Sequence, residues 1–80
     1  MQGATVIVFS GQFRVESFVE FVNHRARRLQ LDAMVETATP DCIEVAVSGQ
    51  PALVDAFEMA CSLGPIDCLV RDVWRKNASV

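Results

Sequence analysis

Eighty residues suffice for one domain, and residues 1–80 are read here as a single one. With 51% apolar and 21% charged residues and a net charge of only −3, the chain is too apolar for a disordered segment. It also lacks the basic excess expected of a general nucleic-acid binder.

The opening run Thr5-Val6-Ile7-Val8-Phe9 is β-branched and aromatic and stops at Ser10-Gly11, which predicts a strand followed by a loop. It is too short for a secretory leader and has no basic residue before it, and nothing later approaches membrane-spanning length. From Phe18 the apolar period changes: Phe18, Val22, Ala26 and Leu29 recur at helical spacing. Ser17-Phe18-Val19-Glu20 fits a capping box, so the helix is expected to begin near Phe18 and to fade near Leu29. Arg25, Arg27 and Arg28 fall at its end, where cations complement the helix dipole.

Two strands are expected next, Ala33 to Ala38 and Asp41 to Ser48, joined through Thr39-Pro40-Asp41. In the second, Ile43, Val45 and Val47 share one face. Gly49-Gln50-Pro51 opens a second helix with apolar stripe Leu53, Phe57 and Ala60, and Gly64-Pro65 closes it. Cys68 to Arg75 is the last strand. The predicted core is Phe18, Val22, Leu29, Ile43, Val45 and Phe57, with Met34 and Trp74 as further packing residues. The order strand, helix, strand, strand, helix, strand implies an α+β ferredoxin-like split βαβ sandwich, an antiparallel sheet with both helices on one face.

The chemistry-bearing residues are sparse. The cysteines Cys42, Cys61 and Cys68 are odd in number and contain no C-x-x-C pair, and the single His24 has no cysteine at ligand spacing. No metal site, cofactor or disulfide framework is expected, and the thiols suit a reducing, cytoplasmic compartment. Ser17 and His24 are about 10 Å apart along one helix, too far for a nucleophile and its base. The low charge and the lack of an aromatic-rich strand argue against an RNA-binding sheet.

Several segments together resemble the acylphosphatase family. Ala26-Arg27-Arg28-Leu29-Gln30-Leu31 resembles its Ala-Arg-Arg-Leu-Gly-Leu, and Ile43-Glu44-Val45 resembles its Val-Glu-Val strand. The helix between Gly49 and Gly64-Pro65 and the valines Val70 and Val73 follow at matching spacing, without a gap from Gly11 to Val73. The resemblance implies the acylphosphatase-like fold, and an activity: metal-free hydrolysis of carboxyl-phosphate anhydrides. In that family a loop Gly-x-Val-Gln-Gly-Val-x-Phe-Arg holds the phosphate through backbone N–H groups and its Arg, and an Asn on the second strand positions water. Fixed donors aimed at negative charge are the physical basis.

At that loop the sequence departs. In the ungapped register Gly11 and Phe18 are kept, but the family's Arg falls on Val19 and its Asn on Thr37. The inner loop Gly falls on Val15 or Glu16, and a carboxylate about 5 Å from an anion repels it by roughly 3 kcal/mol at an effective dielectric near 20. Losing one oxyanion donor alone typically costs about 10²–10³ in rate. The expectation is therefore an acylphosphatase-like domain without hydrolase activity, with no catalytic residue at Val19 or Thr37, acting as a small binding or interaction module. Gly11, Gln12, Arg14 and Ser17 form its candidate anion loop. The alternative is a weak acylphosphatase in which Arg14 replaces the missing guanidinium and Thr37 the Asn. The family's usual final strand has no counterpart in Asn77-Ala78-Ser79-Val80, so a sheet edge is expected to be open to a protein partner. No nucleic acid or membrane partner is expected.

Overall fold

The computed structural model describes residues 4–77. Six elements follow in order: β1 (Thr5–Gln12), α1 (Val15–Arg28), β2 (Asp32–Thr39), β3 (Cys42–Ser48), α2 (Pro51–Leu63) and β4 (Leu69–Asn77). The strands form one antiparallel-paired sheet in the order β2-β3-β1-β4. The tail 78–80, read above as too short for a further strand, lies outside the described residues.

β1 is one of the two inner strands, and its sequence explains why. Val6, Ile7, Val8 and Phe9 are all buried, so both of its faces are covered. Ile7 and Phe9 join Ile43, Val45 and Val47 of β3 beneath the helices, where Phe18, Val22 and Ala26 of α1 and Val54, Phe57 and Cys61 of α2 complete the core. α1 packs over the β2 side, α2 over the β4 side, and the two helices touch. Val6 and Val8 point to the helix-free face. They are covered by neighbours instead: Trp74 lies opposite Val8, and Lys76 Nζ reaches Glu44 Oε1 at 2.9 Å across β1. The lysine stem thus shields apolar surface while its charge stays in water.

Both edge strands carry an irregularity. In β2 the register shifts between Val35 and Thr37, leaving Glu36 as an extra residue. Strict alternation would put Thr37 on the core side; the bulge instead sets it opposite Glu44, whose side of the sheet is free of helices. In β4 the shift falls at Arg71, between the partners of Ser10 and Gly11.

The architecture agrees with the sequence reading, and several details correct it. α1 begins at Val15 rather than Phe18, and no side chain caps it. The capping box does not form, because Ser17 already lies inside the first turn. Phe13, absent from the expected core, is buried and stacks edge-on against Phe18 at 4.7 Å. Leu29, Leu53 and Ala60 are only half-buried, and the α2 stripe facing the sheet is Val54, Phe57 and Cys61. Met34 and Trp74 are not core residues: they are 67% and 48% exposed on the open face. Pro51 and Gly64 bound α2 as expected, with Gly64 at φ 68°.

Candidate functional site

The place to look is the junction of β1 with α1, where first-turn N–H groups have no intrahelical acceptor. The segment read as a loop from Gly11 to Ser17 is shorter than expected. Gly11 and Gln12 are strand residues, Phe13 and Arg14 make the connection, and residues 15–17 are helix. Two of its backbone donors are already used: Gly11 N–H bonds to Asp41 O at 3.2 Å and Phe13 N–H to Pro40 O at 2.7 Å. These bonds stitch the junction to the β2–β3 turn. Gly11 also has a structural reason for being glycine. It sits at φ 155°, and a Cβ there would lie 2.0 Å from Leu69 O on β4. Gln12 is exposed opposite Leu69.

The side chains of Arg14 and Ser17 converge on one residue that the sequence reading did not single out, Asp67. Ser17 Oγ donates to Asp67 Oδ1 at 2.9 Å, and Arg14 Nε lies 3.5 Å from Asp67 Oδ2. Cys68 stands beside them, its Sγ 3.8 Å from Arg14 O and 3.7 Å from Asp67 Oδ1. Burial foremost, with the Asp67 carboxylate adding to it, pushes the Cys68 thiol above its ordinary value. The open cleft at this terminus is lined by Arg14, Val15, Glu16, Ser17, Glu20 and Asp67. Three carboxylates therefore face one guanidinium.

Val19 lies a full turn into α1 and contributes to a neighbouring cleft along the helix flank with Val15, Asn23 and Arg27. Thr37 lines neither cleft. Among the described residues, no cluster of His, Cys, Asp and Glu is arranged to hold a metal ion, and no helix is long and apolar enough to cross a membrane.

No family profile matches the sequence, and no curated protein matches it. Solved structures do. The acylphosphatase from Bacillus subtilis superposes with a TM-score of 0.84 at 20% identity, covering 99% of this chain and 89% of that one. The chain has the acylphosphatase fold. An acylphosphatase from Coxiella burnetii is similar to the same degree, with a TM-score of 0.84 at 22% identity over 98% of this chain and 82% of the other. The β1–α1 junction, the β2–β3 hairpin and the Gly-bounded α2 are successive parts of this fold.

No single sequence signal marks Asp67. It is contributed by the connection between α2 and β4, fifty residues from Ser17. The pairing depends on how β4 docks against β1, which neither local periodicity nor a motif encodes.

Proposed function

We propose that this chain is an acylphosphatase-fold protein without acyl phosphate hydrolase activity, acting as a small binding or interaction module. The observation that carries the reading is Asp67: a carboxylate of the protein itself takes the Ser17 hydroxyl and the Arg14 guanidinium at the helix terminus. Glu16 and Glu20 add two more negative charges to the cleft. An acyl phosphate is anionic, so it meets repulsion where catalysis needs fixed positive donors. Val19, at the position the sequence resemblance assigns to a guanidinium, offers neither charge nor hydrogen-bond donor. The rival reading, a weak acylphosphatase, needs Arg14 and Thr37 to share one site; Arg14 is engaged with Asp67, and Thr37 sits opposite Glu44 on β2. Three free thiols suit a reducing, cytoplasmic setting for such a module.

The test is hydrolysis of benzoyl phosphate by the purified chain, paired with a phosphate titration followed through amide NMR shifts of residues 11–17. The expected result is hydrolysis at background and no saturable shift. Turnover in the common enzyme range of about 1–10³ s⁻¹ would overturn the reading.

A further inference from the structure

α2 is apolar on two opposite sides. Val54, Phe57 and Cys61 face the core. At 100° per residue, Ala52, Ala56, Met59 and Leu63 form a second stripe directed away from it. All four are exposed, Met59 by 71% and Leu63 by 81%. Ile66, just past the helix end, is fully exposed as well. The neighbouring α1 lies in the same layer and turns Glu16, Glu20, Asn23 and Arg27 to solvent, the ordinary pattern for a helix on a sheet. A second apolar stripe on the outer side of such a helix is not the pattern of a helix with one buried face.

We propose that this outer stripe is a self-association surface, and that two copies of the chain pair through α2 in antiparallel fashion across a two-fold axis. The order of residue sizes carries the choice of occupant. The stripe runs small, small, large, large. In an antiparallel pair centred between Phe57 and Glu58, Ala52 faces Leu63 of the second copy and Ala56 faces its Met59. Each large side chain then fills the space left by an alanine, and each contact occurs twice, as an isologous interface requires. A parallel pair would set Leu63 against Leu63 and alanine against alanine, leaving a void at one end and crowding at the other. The alanines also permit the 8–10 Å axial separation of packed helices.

Charge does not oppose the pairing at its centre. The stripe itself carries none, and the acidic residues on its flank, Asp55 and Glu58, are both held by Arg75, with Asp55 Oδ1 2.8 Å from Arg75 Nη2. The size of the patch fits a weak dimer. Met59, Leu63 and Ile66 together present on the order of 500 Å² of apolar surface, near the upper range for a free monomer. A standard interface buries about 800 Å² per partner, which leaves a polar rim to complete it. The pairing is independent of whether the α1 terminus takes an anion.

Sedimentation equilibrium of the intact chain, from about 10 µM to 1 mM, reads the association directly. A concentration-dependent dimer is expected, with amide NMR shifts on dilution confined to α2 and residues 64–67. Met59→Glu should weaken association at least about tenfold, since two charges are buried per dimer. Ala56→Lys alone should weaken it too. Because residues 56 and 59 meet across the axis only in the antiparallel register, the double variant Ala56→Lys with Met59→Glu should restore it. Both positions are solvent-facing, and far-UV circular dichroism verifies that each of the three variants is folded. A monomer at every concentration, association unaffected by Met59→Glu, or no recovery in the double variant would overturn the proposal.

Discussion

The Ser17 hydroxyl donates to Asp67 Oδ1 at 2.9 Å, so the first turn of α1 is held by a carboxylate from the connection between α2 and β4. This contact decides what a restored guanidinium would achieve. A charge-assisted hydrogen bond contributes about 1.5–3 kcal/mol. One carboxylate about 5 Å from a bound anion opposes it by roughly 3 kcal/mol at an effective dielectric near 20. The two are comparable, so Val19→Arg alone should give no measurable phosphate binding. Combined with Asp67→Asn it should bind, with shifts in the amides of Val15, Glu16 and Ser17. The Arg14–Asp67 pair is largely exposed, so its loss should cost about 0–1 kcal/mol of stability. Equal phosphate affinity in the single and double variants would show that Asp67 does not govern the terminus.

Gln30 occupies a position that suits glycine. Leu31 N–H bonds to Ala26 O and Gln30 N–H to Arg27 O, the paired bonds of a Schellman motif. They require Gln30 at φ 57°, the left-handed region. A residue with a Cβ is strained there by about 1–2 kcal/mol, partly offset by the greater freedom glycine has when unfolded. Gln30→Gly should therefore stabilise the fold by about 1 kcal/mol, or about 4–8 °C in a thermal melt. A lower Tm would mean that the exposed glutamine side chain makes a compensating contact.

The fold was legible because its signals are local. The alternation of Ile43, Val45 and Val47 fixes which face of β3 is buried, and all three are. Thr39-Pro40-Asp41 reads as a turn, and Thr39 Oγ1 does donate to Asp41 Oδ1 at 2.7 Å and accept from Cys42 N–H at 3.0 Å. The start of α1 was misread for a physical reason. Ser17 and Glu20 have capping-box spacing, but the chain enters the helix earlier because Phe13 is anchored, its ring against Phe18 and its N–H on Pro40 O. That anchor is tertiary, and it outweighs the local cap.

Met34 and Trp74 were misread because strand residues of this type are usually covered. Here no helix lies over the outer face, and the ion pair Lys76–Glu44 covers only β1. The geometry of the candidate site was not legible in the sequence. Thr37 changes sides through the bulge at Glu36, and Asp67 reaches Arg14 through tertiary docking.

Phe57 tests the packing of α2. It is fully buried, between Val54 and Cys61 on the sheet-facing stripe. Phe57→Ala removes the aromatic ring and leaves a cavity, at a cost of about 3–5 kcal/mol. That is a large share of the stability of so small a fold, typically about 0.05–0.15 kcal/mol per residue. Urea unfolding should show a strongly lowered midpoint or no folded baseline. A midpoint within error of the parent would contradict the burial.

Cys61 links burial to pH. Its thiol is fully buried, and burial pushes it up from 9.0 to about 12, against a smaller opposing pull from the Arg25 charge. The folded state thus holds the proton more tightly than the unfolded chain. Its contribution is fully present below about pH 9 and is lost as pH rises toward about 12. In that window the unfolded thiol ionises first, so stability should fall by up to about 1.4 kcal/mol per pH unit. The Cys42 and Cys68 thiols are also raised, and they act in the same direction. Cys61→Ala should be less stable at neutral pH, because a buried sulfur is lost, but its midpoint should decline less steeply above pH 9. Thiol labelling gives a second reading at one pH. At about pH 8, Cys42 and Cys68, being partly accessible, should react with a disulfide reagent in the folded protein, whereas Cys61 should react only as fast as the chain unfolds. Labelling of all three thiols at one rate in the native state would show that the space beneath α2 is open to solvent, and the alkaline instability would then need another source.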